Sequence, residues 1–561
     1  MISSHSLDLF ITILMAFTVA AVVAGIVAGI FFLLSLQRVL RLCAPQNRTL
    51  EPGKVWLCFV PLFGMVWIFV VVSRVASSLR NEFEARQTPQ EGYGKSVGMA
   101  YCILGAISII PVLGVLTGLA ACICWIVYWV KISGYAELLE APVPVLEGGS
   151  PAQEQLEAEE PFNPEKAWPV LLILIFAYAG QHLQSLGLSL FMPVLRDEFK
   201  LGAIEVGYIF SAFMMGLIAG YVLLTLVTAL CGTRWGLVVA LAGASLAVLG
   251  GGLAPGFEGM LIARAIMGFF AGGLLPAAIQ SLRECFPERM RPLTIGLLLA
   301  SSPLVSFLML PLGSHITSSM GWRPAFMITA IPTAIAAALC WFVWSPPARR
   351  ASSRGITGVG IVSVVMLGVG FLLTTPLFTF AQSWMPVLIR RGMSSSFATI
   401  STVNMAASMA GAILAGVGAW AIMDAGISPW KTRAALLTLF GLILPVAALG
   451  GVFAKDWTLV VVSALLMGAF QGLATLLYAA VADALPARGV AIGVAIGALM
   501  MSLVMMLLTS GLSSMMNDYG TGFMFGLMAA LATAALLCIG LLAWLVHPKP
   551  MLTSVDDPEP I

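Results

Sequence analysis

A single arginine, Arg264, stands inside the apolar run 259–282. A charge near the middle of a bilayer costs about 2.5 kcal/mol or more, so an ionisable side chain in such a run is a functional candidate. No acidic residue lies in the same run, so a bound anion or an acid from another helix would have to neutralise the guanidinium. Two alternatives stay open: Arg264 could snorkel to the surface or bond carbonyl groups of the first helix.

A second polar group interrupts the apolar run 168–192, and its members are Gln181, His182, Gln184 and Ser185. Positions 181 and 185 are one helical turn apart, so their side chains share a face and predict a polar stripe suited to a cavity wall. His182 can take up a proton near neutral pH. It can equally be a neutral hydrogen-bonding residue, and both interpretations remain open.

The second half of the chain offers polar side chains without charge. Two groups keep helical spacing, so each predicts one line of polar side chains along a single face of its helix. They are Thr375, Thr379 and Gln382 in the run 357–385, and Gln471 and Tyr478 in the run 457–482; Asn404 stands in the run 396–421. The alternative role for these side chains is hydrogen bonding between helices.

The composition excludes a soluble globule. Of 561 residues, 60% are hydrophobic and 10% are charged, and the mean hydropathy is +1.00, so the apolar runs must face lipid. Sixteen runs approach the roughly 20 residues that cross a bilayer as a helix, which predicts an all-α polytopic membrane protein. A net charge of +2 gives no sign of nucleic-acid binding, and the nine cysteines lack metal-ligand spacing, so we expect neither a metal nor a cofactor.

A polar linker divides the runs into two blocks. Residues 1–138 hold four runs, near 9–34, 55–73, 97–111 and 113–132. Residues 139–166 are rich in Pro, Gly and Glu, a composition typical of a flexible linker. Twelve runs follow, six in 167–345 and six in 357–547, with a basic loop at 346–356 and a tail at 548–561. Lys and Arg are more frequent in the inner loops of this block, which predicts that the linker and the carboxyl terminus lie in the cytoplasm. Charge does not decide the orientation of the first block, so we choose four spans, an even number, which places the amino terminus in the cytoplasm as well.

The two six-run halves echo each other. Met192-Pro193-Val194-Leu195 returns as Met385-Pro386-Val387-Leu388, and Met267-Gly268-Phe269-Phe270-Ala271-Gly272 returns as Met467-Gly468-Ala469-Phe470-Gln471-Gly472. Each member of the second pair is followed by an acid and a proline, Glu284 with Pro287 and Asp483 with Pro486. Internal repetition of this length in a membrane chain is typical of secondary transporters, in which two related bundles rock around a site between them.

Three motifs give the second block a family resemblance. They are Arg264-Ala265-Ile266-Met267-Gly268, Phe286-Pro287-Glu288-Arg289-Met290-Arg291 and Gly321-Trp322-Arg323-Pro324-Ala325-Phe326. With these, residues 167–547 resemble the major facilitator superfamily, nearest the branch that moves organic anions with a cation. The resemblance implies two six-helix bundles, alternating access, and a central cavity faced by helices one, four, seven and ten. It also implies a small-molecule substrate, with H+ or Na+ as the candidate coupling ion.

The loops between helices carry gating residues in that superfamily. Arg234 keeps the basic position of the loop between helices two and three, although Ala229 stands where the family has an aspartate. Asp424 and Arg433 match the corresponding loop of the second half, so the resemblance assigns Arg234, Asp424 and Arg433 to gating. Ala271 stands where symporters of that branch commonly place a glutamate, so the resemblance does not extend to proton coupling through that carboxylate.

The amino-terminal block resembles, more loosely, small uncharacterised four-helix membrane modules of bacteria. The stretches that carry this likeness are Pro52-Gly53-Lys54-Val55-Trp56-Leu57 and Cys124-Trp125-Ile126-Val127-Tyr128-Trp129-Val130-Lys131-Ile132. We expect an accessory membrane anchor or assembly element, and binding of a protein partner or of lipid is the alternative. The expected location of the whole chain is the inner, or plasma, membrane of a bacterium.

No enzyme signature accompanies these features. The chain has no Gly-x-Ser-x-Gly elbow, no His-Glu-x-x-His pair and no phosphate-binding loop, so we expect neither an enzyme nor an ATP-driven pump. Three hypotheses remain. The first, favoured by Arg264, is secondary active transport of a small organic solute, an anion. The second is export of amphiphilic compounds, and the third is a transporter-like membrane sensor or scaffold.

Overall fold

The computed structural model describes residues 29, 32–59, 63–88, 90, 92–108, 163–342, 358–392, 397–455 and 457–546, and short pieces between 121 and 139. Within these residues all regular structure is helical. The first predicted run, most of the linker 139–166, the loop 346–356 and the tail 548–561 lie outside the described residues.

Twelve helical spans of the described chain are long and apolar enough to cross a membrane, and we number them 1 to 12 in chain order. They are formed by helices Pro164–Phe199, Ala203–Cys231, Thr233–Gly252, Phe257–Cys285, Arg291–Met320, Trp322–Ile328 with Ala330–Phe342, Gly358–Thr379 with a π-helical turn Phe380–Trp384 and Met385–Gly392, Phe397–Asp424, Pro429–Phe453, Trp457–Ala484, and Ala487–Val546. The last helix contains spans 11 and 12. The predicted all-α fold and its block of twelve spans are confirmed, whereas the four extra spans expected before the linker stay a prediction.

Four glycines with positive φ mark an internal repeat. Gly232, Gly321, Gly426 and Gly520 have φ values of 92°, 77°, 89° and 80°. They stand before spans 3, 6, 9 and 12, so each ends the second helix of a three-helix unit. Glycine adopts this left-handed backbone without steric cost, whereas a side chain would be strained there. The same turn therefore recurs in all four units, which extends the repeat that the sequence echoes predict.

The two six-helix bundles, spans 1–6 and spans 7–12, cross closely where span 5 meets span 8. A Cβ atom at Gly296 would lie 2.5 Å from the carbonyl oxygen of Ala412, and one at Gly416 would lie 2.7 Å from that of Pro292. Small residues allow helix backbones to approach this closely in a membrane. The glycines therefore place the main crossing of the bundles near the end of the molecule where the linker joins, which we call the linker side.

A polar anchor closes the first bundle at the opposite end. The indole Nε1 of Trp322 donates to Glu198 at 2.5 Å, and Nη2 of Arg323 donates to the same carboxylate at 2.7 Å. Nη1 of Arg323 also donates to the carbonyl oxygens of Gly252 and Ala254, at 3.2 and 2.8 Å. The Gly-Trp-Arg motif thus ties together the ends of spans 1, 3 and 6.

The described part of the amino-terminal block is a compact helical module with its own apolar core. Its elements are the helical residues 32–42, the 3₁₀ helix Pro52–Phe59, the helices Phe63–Ala85 and Lys95–Ile107, and helical pieces between 121 and 139. The run expected as one span at 55–73 is divided between the 3₁₀ helix and the helix that follows it. The core of the module extends to Ile361 and Val365 of span 7, so the module packs against the second bundle.

Candidate functional site

Arg264 lies on span 4, seven residues after the helix start at Phe257, or about 10 Å along the axis. The side chain is 2% exposed. Its Nη1 donates to the thioether of Met267 at 3.3 Å, its Cζ lies 4.4 Å from the centre of the Phe213 ring on span 2, and its buried Nε has no partner. Among the described residues no carboxylate pairs with it. The side chain neither snorkels to the surface nor bonds a described carbonyl of span 1.

A thioether and an aromatic face are weak partners for a guanidinium, which carries five N–H donors in a planar fork. Phe213 supplies a cation–π contact, and Met267 supplies a soft acceptor. Neither neutralises the charge. The environment of Arg264 therefore holds a cation whose strongest natural partner, a carboxylate or another oxyanion, is missing from the described surroundings.

Gln181 of span 1 faces the same side of span 4. Its Nε2 donates to the carbonyl oxygen of Ala271 at 3.4 Å, while its buried Oε1 has no partner in the described structure. Ala271 and Arg264 are seven residues apart, so they lie on one face of span 4 two turns from each other. Ser185 donates to the carbonyl of Gln181 at 3.3 Å, which keeps it on the predicted stripe of span 1.

His182 lies between spans 1 and 5. Its Nε2 is 2.8 Å from the hydroxyl of Ser306, and its Nδ1 is 3.1 Å from that of Ser302. Ser302 and Ser306 are one helical turn apart, so two successive hydroxyls hold the two sides of the ring. Because a hydroxyl can donate or accept, the pair can accommodate a neutral imidazole and an imidazolium alike.

Gln184 serves a different interface from Gln181. It is fully buried, and its Nε2 donates to Oγ1 of Thr333 on span 6 at 2.5 Å. Thr333 in turn lies 2.7 Å from the hydroxyl of Ser245 on span 3. This chain of hydrogen bonds joins spans 1, 3 and 6 inside the first bundle, so the contacts of Gln184 fit interhelical bonding rather than a cavity wall.

The π-helical turn of span 7 carries Gln382 and organises the polar residues around it. The carbonyl of Ala381 in this turn accepts from Nδ2 of Asn404 on span 8, at 3.3 Å, and from Ser463 on span 10, at 3.5 Å. Oδ1 of Asn404 is buried and has no described partner, whereas Gln382 is half-buried. Local π geometry of this kind often accompanies function because it re-aims side chains within a helix.

The stripes predicted on spans 7 and 10 differ in their surroundings. Thr379 donates to the carbonyl of Thr375 in its own helix at 2.9 Å, and the buried hydroxyl of Thr375 has no described partner. Gln471 is half-buried. Tyr478 is buried against Phe371, with ring centres 5.3 Å apart.

Tyr478 also brings the two bundles together. Its phenol lies near those of Tyr178 on span 1 and Tyr221 on span 2, and Tyr221 is close enough to Ser502 of span 11 for a side-chain hydrogen bond. These groups lie between Arg264 and the linker side. Nothing in the described part of the chain joins Arg264 itself to the predicted residues of the second bundle.

Ion pairs between the bundles close the linker side. Arg291, at the start of span 5, and Arg433, at the start of span 9, both donate to the buried carboxylate of Asp483 at the end of span 10. Arg433 also reaches Glu288 of the first bundle at 3.1 Å. A separate, exposed pair joins Asp424 to Arg289 at 3.7 Å. The two predicted gating residues Asp424 and Arg433 therefore both contact the opposite bundle.

Arg234 makes its described contacts within one bundle. Its Nη2 donates to the carbonyl of Trp341, and its Cζ lies 5.0 Å from the centre of that indole. It thus holds the linker-side ends of spans 3 and 6 together. The loop lacks the family's aspartate at Ala229, and Asp483 supplies the buried carboxylate of the closed face instead.

Asp483, Glu288 and Arg291 take part in the ion pairs between the bundles, and the sequence analysis did not select them. The available signal was the repeated pairing of an acid with a proline after spans 4 and 10, which singles out Asp483 as the second-half counterpart of Glu284. Glu284 itself accepts from Gln280 and Thr233, both at 3.0 Å, and those contacts lie inside the first bundle.

Comparisons with known proteins agree on the type of protein. Residues 170–448 match the family model of the Major Facilitator Superfamily. A hexuronate transporter of Bacillus subtilis (strain 168) is 30% identical over 31% of this chain and 41% of its own length. An efflux pump, aflT, of Aspergillus parasiticus is 28% identical over 35% of this chain and 38% of its own. The matched part thus spans about two fifths of the length of these curated relatives.

A solved proton:xylose symporter, XylE, bound to 6-bromo-6-deoxy-D-glucose, shares the fold. It superposes with a TM-score of 0.56 at 15% identity, over 69% of this chain and 97% of its own. The matches are to carriers, so the prediction that the chain is not an enzyme is confirmed at the level of the family.

Proposed function

We propose that the chain, whose residues 170–448 match the family model of the Major Facilitator Superfamily, is a secondary active transporter that moves a small organic anion by alternating access. The observation that carries this proposal is Arg264, a buried guanidinium without a carboxylate partner among the described residues. A bound carboxylate would neutralise the charge and occupy two N–H groups at once.

The surroundings of Arg264 suit a carboxylate that also carries hydroxyl groups. Gln181 of span 1 bonds Ala271 of span 4, two helical turns from Arg264. Its Oε1 has no described partner and can accept from a hydroxyl. A hexuronate, the substrate class named for one relative, combines a carboxylate with several hydroxyls. We therefore propose a sugar acid, or a similar hydroxylated carboxylate, as the substrate class.

The ion pairs on the linker side support one direction of entry for the substrate. The ion pairs of Asp483 bar passage at that end, so the substrate would enter from the opposite side. Phe213 lies over Arg264 on the entry half of the bundle and must move before an anion can reach the guanidinium. Binding of the anion would replace the aromatic contact with a charge-assisted one.

Transport of a matched pair of solutes tests the proposal. The full chain, reconstituted in liposomes, should exchange labelled galacturonate against unlabelled galacturonate inside, and labelled galactose should not exchange. The two sugars differ only at C6, which is a carboxylate in galacturonate and a hydroxymethyl group in galactose. The comparison therefore isolates the effect of the anionic group. Equal exchange of both sugars would contradict the role proposed for Arg264.

Export of amphiphilic compounds is the second candidate function, and an aromatic group in the second bundle supports it. Phe378 stacks on Phe470 with centres 4.5 Å apart, and Phe371 packs against both Phe470 and Tyr478. Such a cluster would suit an apolar ring once its buried members, Phe371 and Phe470, become accessible during a transport cycle. Efflux of a lipophilic dye from loaded vesicles, competed by the anion, would favour this function over uptake. A sensor or scaffold would show neither activity.

A further inference from the structure

The loops of the amino-terminal module meet at one end of it. The carboxylate of Glu82, near the end of helix Phe63–Ala85, accepts from the backbone N–H of Ala44 at 2.7 Å and from Asn47 at 2.8 Å. Arg86, just beyond that helix, donates to the carbonyl of Leu139 at 2.8 Å. The segment after residue 42, the end of helix Phe63–Ala85 and the start of the linker therefore share one level.

Contacts higher in the module give the direction of its helices. Phe32 packs on Trp125 with ring centres 5.7 Å apart, and Trp129 donates to Ser35 at 2.8 Å, so the helical residues 32–42 run parallel to the helical pieces between 121 and 139. Helix Lys95–Ile107 runs the other way, because Tyr93 packs near Tyr135. Helix Phe63–Ala85 runs in the same direction as the helical residues 32–42.

Two parallel neighbours in sequence need a connection that returns across part of the membrane. The 3₁₀ helix Pro52–Phe59 supplies it: Trp56 donates to Gln37 at 3.1 Å, and the ring of Phe59 comes up to Gly29. Eight residues of 3₁₀ helix rise about 16 Å, about half of the ~30 Å hydrocarbon layer. The segment is packed against protein on one side, which is where non-helical backbone is tolerated at membrane depth.

This arrangement changes the charge distribution that an antiparallel four-span module would have. Basic residues follow both the first and the second apolar run. If successive spans alternated in direction, these two groups would lie on opposite sides of the membrane. The parallel helices bring them to one half of the module, the half that holds the start of the linker. The exposed members of this basic face are Arg41, Arg74, Arg80, Lys95 and Lys131. Arg80 is paired with Glu84, and the other four form no ion pair within the described residues.

We propose that this basic face binds anionic lipid headgroups of the leaflet on the linker side. Clusters of Lys and Arg next to membrane helices recognise anionic headgroups by charge. The module would then anchor the second bundle, against which it packs at Ile361, to a charged leaflet.

Labelling of single cysteines tests the arrangement. In a cysteine-free background, Gln46→Cys, Thr88→Cys and the linker variant Ala152→Cys should all react with an impermeant maleimide from the same side. Gln46 and Thr88 are exposed positions in the two loops. Labelling of Gln46→Cys and Thr88→Cys from opposite sides would overturn the parallel pair.

Lipid dependence tests the partner. The full chain in nanodiscs of neutral phosphatidylcholine should gain thermal stability when a third of the lipid is replaced by anionic phosphatidylglycerol. A variant with Arg41→Gln, Arg74→Gln, Lys95→Gln and Lys131→Gln should lose at least half of that gain. The matched control, Arg196→Gln with Lys200→Gln at the far end of span 1, should keep it. An undiminished gain in the fourfold variant would overturn the proposal.

Discussion

Arg291 of span 5 and Asp483 of span 10 form a buried ion pair that joins the two bundles on the linker side. Asp483 accepts a second guanidinium, that of Arg433, so one carboxylate compensates two cations. Because each charge has left water, the cluster is favourable only while all its members are in place. The pair therefore stabilises the closed face and must be broken when this side of the carrier opens.

Replacing Asp483 by Asn should open the linker side. The change leaves Arg291 and Arg433 facing each other without their carboxylate, and breaking a buried pair costs about 3–5 kcal/mol. Distances between spin labels on spans 4 and 10 at the linker side should shift toward a longer population. Asp424→Asn is the matched control, because its exposed pair with Arg289 contributes about 0–1 kcal/mol and its loss should change the populations little. Equal effects of the two variants would contradict the assignment of the gate to Asp483.

Arg264 should be required for transport of an anion and not for folding. Arg264→Lys keeps the charge but cannot reproduce the bidentate fork, so exchange of galacturonate should fall at least tenfold. Arg264→Ala should abolish exchange while the protein still reaches the membrane at normal levels. Arg196→Ala, an exposed arginine of the same bundle, is the control and should exchange normally. Unchanged exchange by Arg264→Ala would end the anion hypothesis and favour the exporter.

Coupling to protons, if present, should depend on His182. Its two hydroxyl partners, Ser302 and Ser306, can accept from both ring nitrogens of an imidazolium, so uptake of a proton breaks no hydrogen bond. His182→Gln should retain exchange at equilibrium but lose the stimulation of uptake by a pH gradient. Ser306→Ala removes one partner and keeps the ring, so it should retain part of the stimulation. Full stimulation in His182→Gln would assign coupling elsewhere, and stimulation by a sodium gradient would favour Na+.

The sequence predicted the carrier fold because its evidence is local and repeated. Apolar runs of bilayer length set the twelve spans, and echoes such as the two Met-Pro-Val-Leu stretches set the two halves. The candidate site was harder to predict from the sequence, because it depends on which helix faces pack against each other. Gln181 and Gln184 are three residues apart, yet one bonds span 4 and the other bonds span 6. Side-chain type alone does not distinguish them.

The gate and the amino-terminal module depend on contacts that no spacing rule reveals. Asp483 meets Arg291 across 192 residues of chain. The module's parallel helices depend on the 3₁₀ segment Pro52–Phe59, whose residues from Val55 on belong to the apolar run 55–73. Counting hydrophobic runs therefore leaves the direction of the helices in this module open.

Deletion of residues 1–140 should leave the carrier folded and at least partly active. The four three-helix units are complete without these residues, and the module reaches the second bundle at Ile361 and Val365 of span 7. After deletion these two side chains would meet lipid, which is as apolar as the core that they leave, so the loss of stability should be modest. Size-exclusion profiles, melting temperature and exchange of galacturonate should be measured together.

A full-length variant with Ile361→Ala and Val365→Ala serves as the control for that deletion, because it weakens the contact while retaining the module. The control should lower the melting temperature no more than the deletion does and should exchange normally. If the truncated chain is well expressed and monodisperse yet transports nothing while the control is active, the module itself contributes to the transport path, and the independence of the carrier is contradicted.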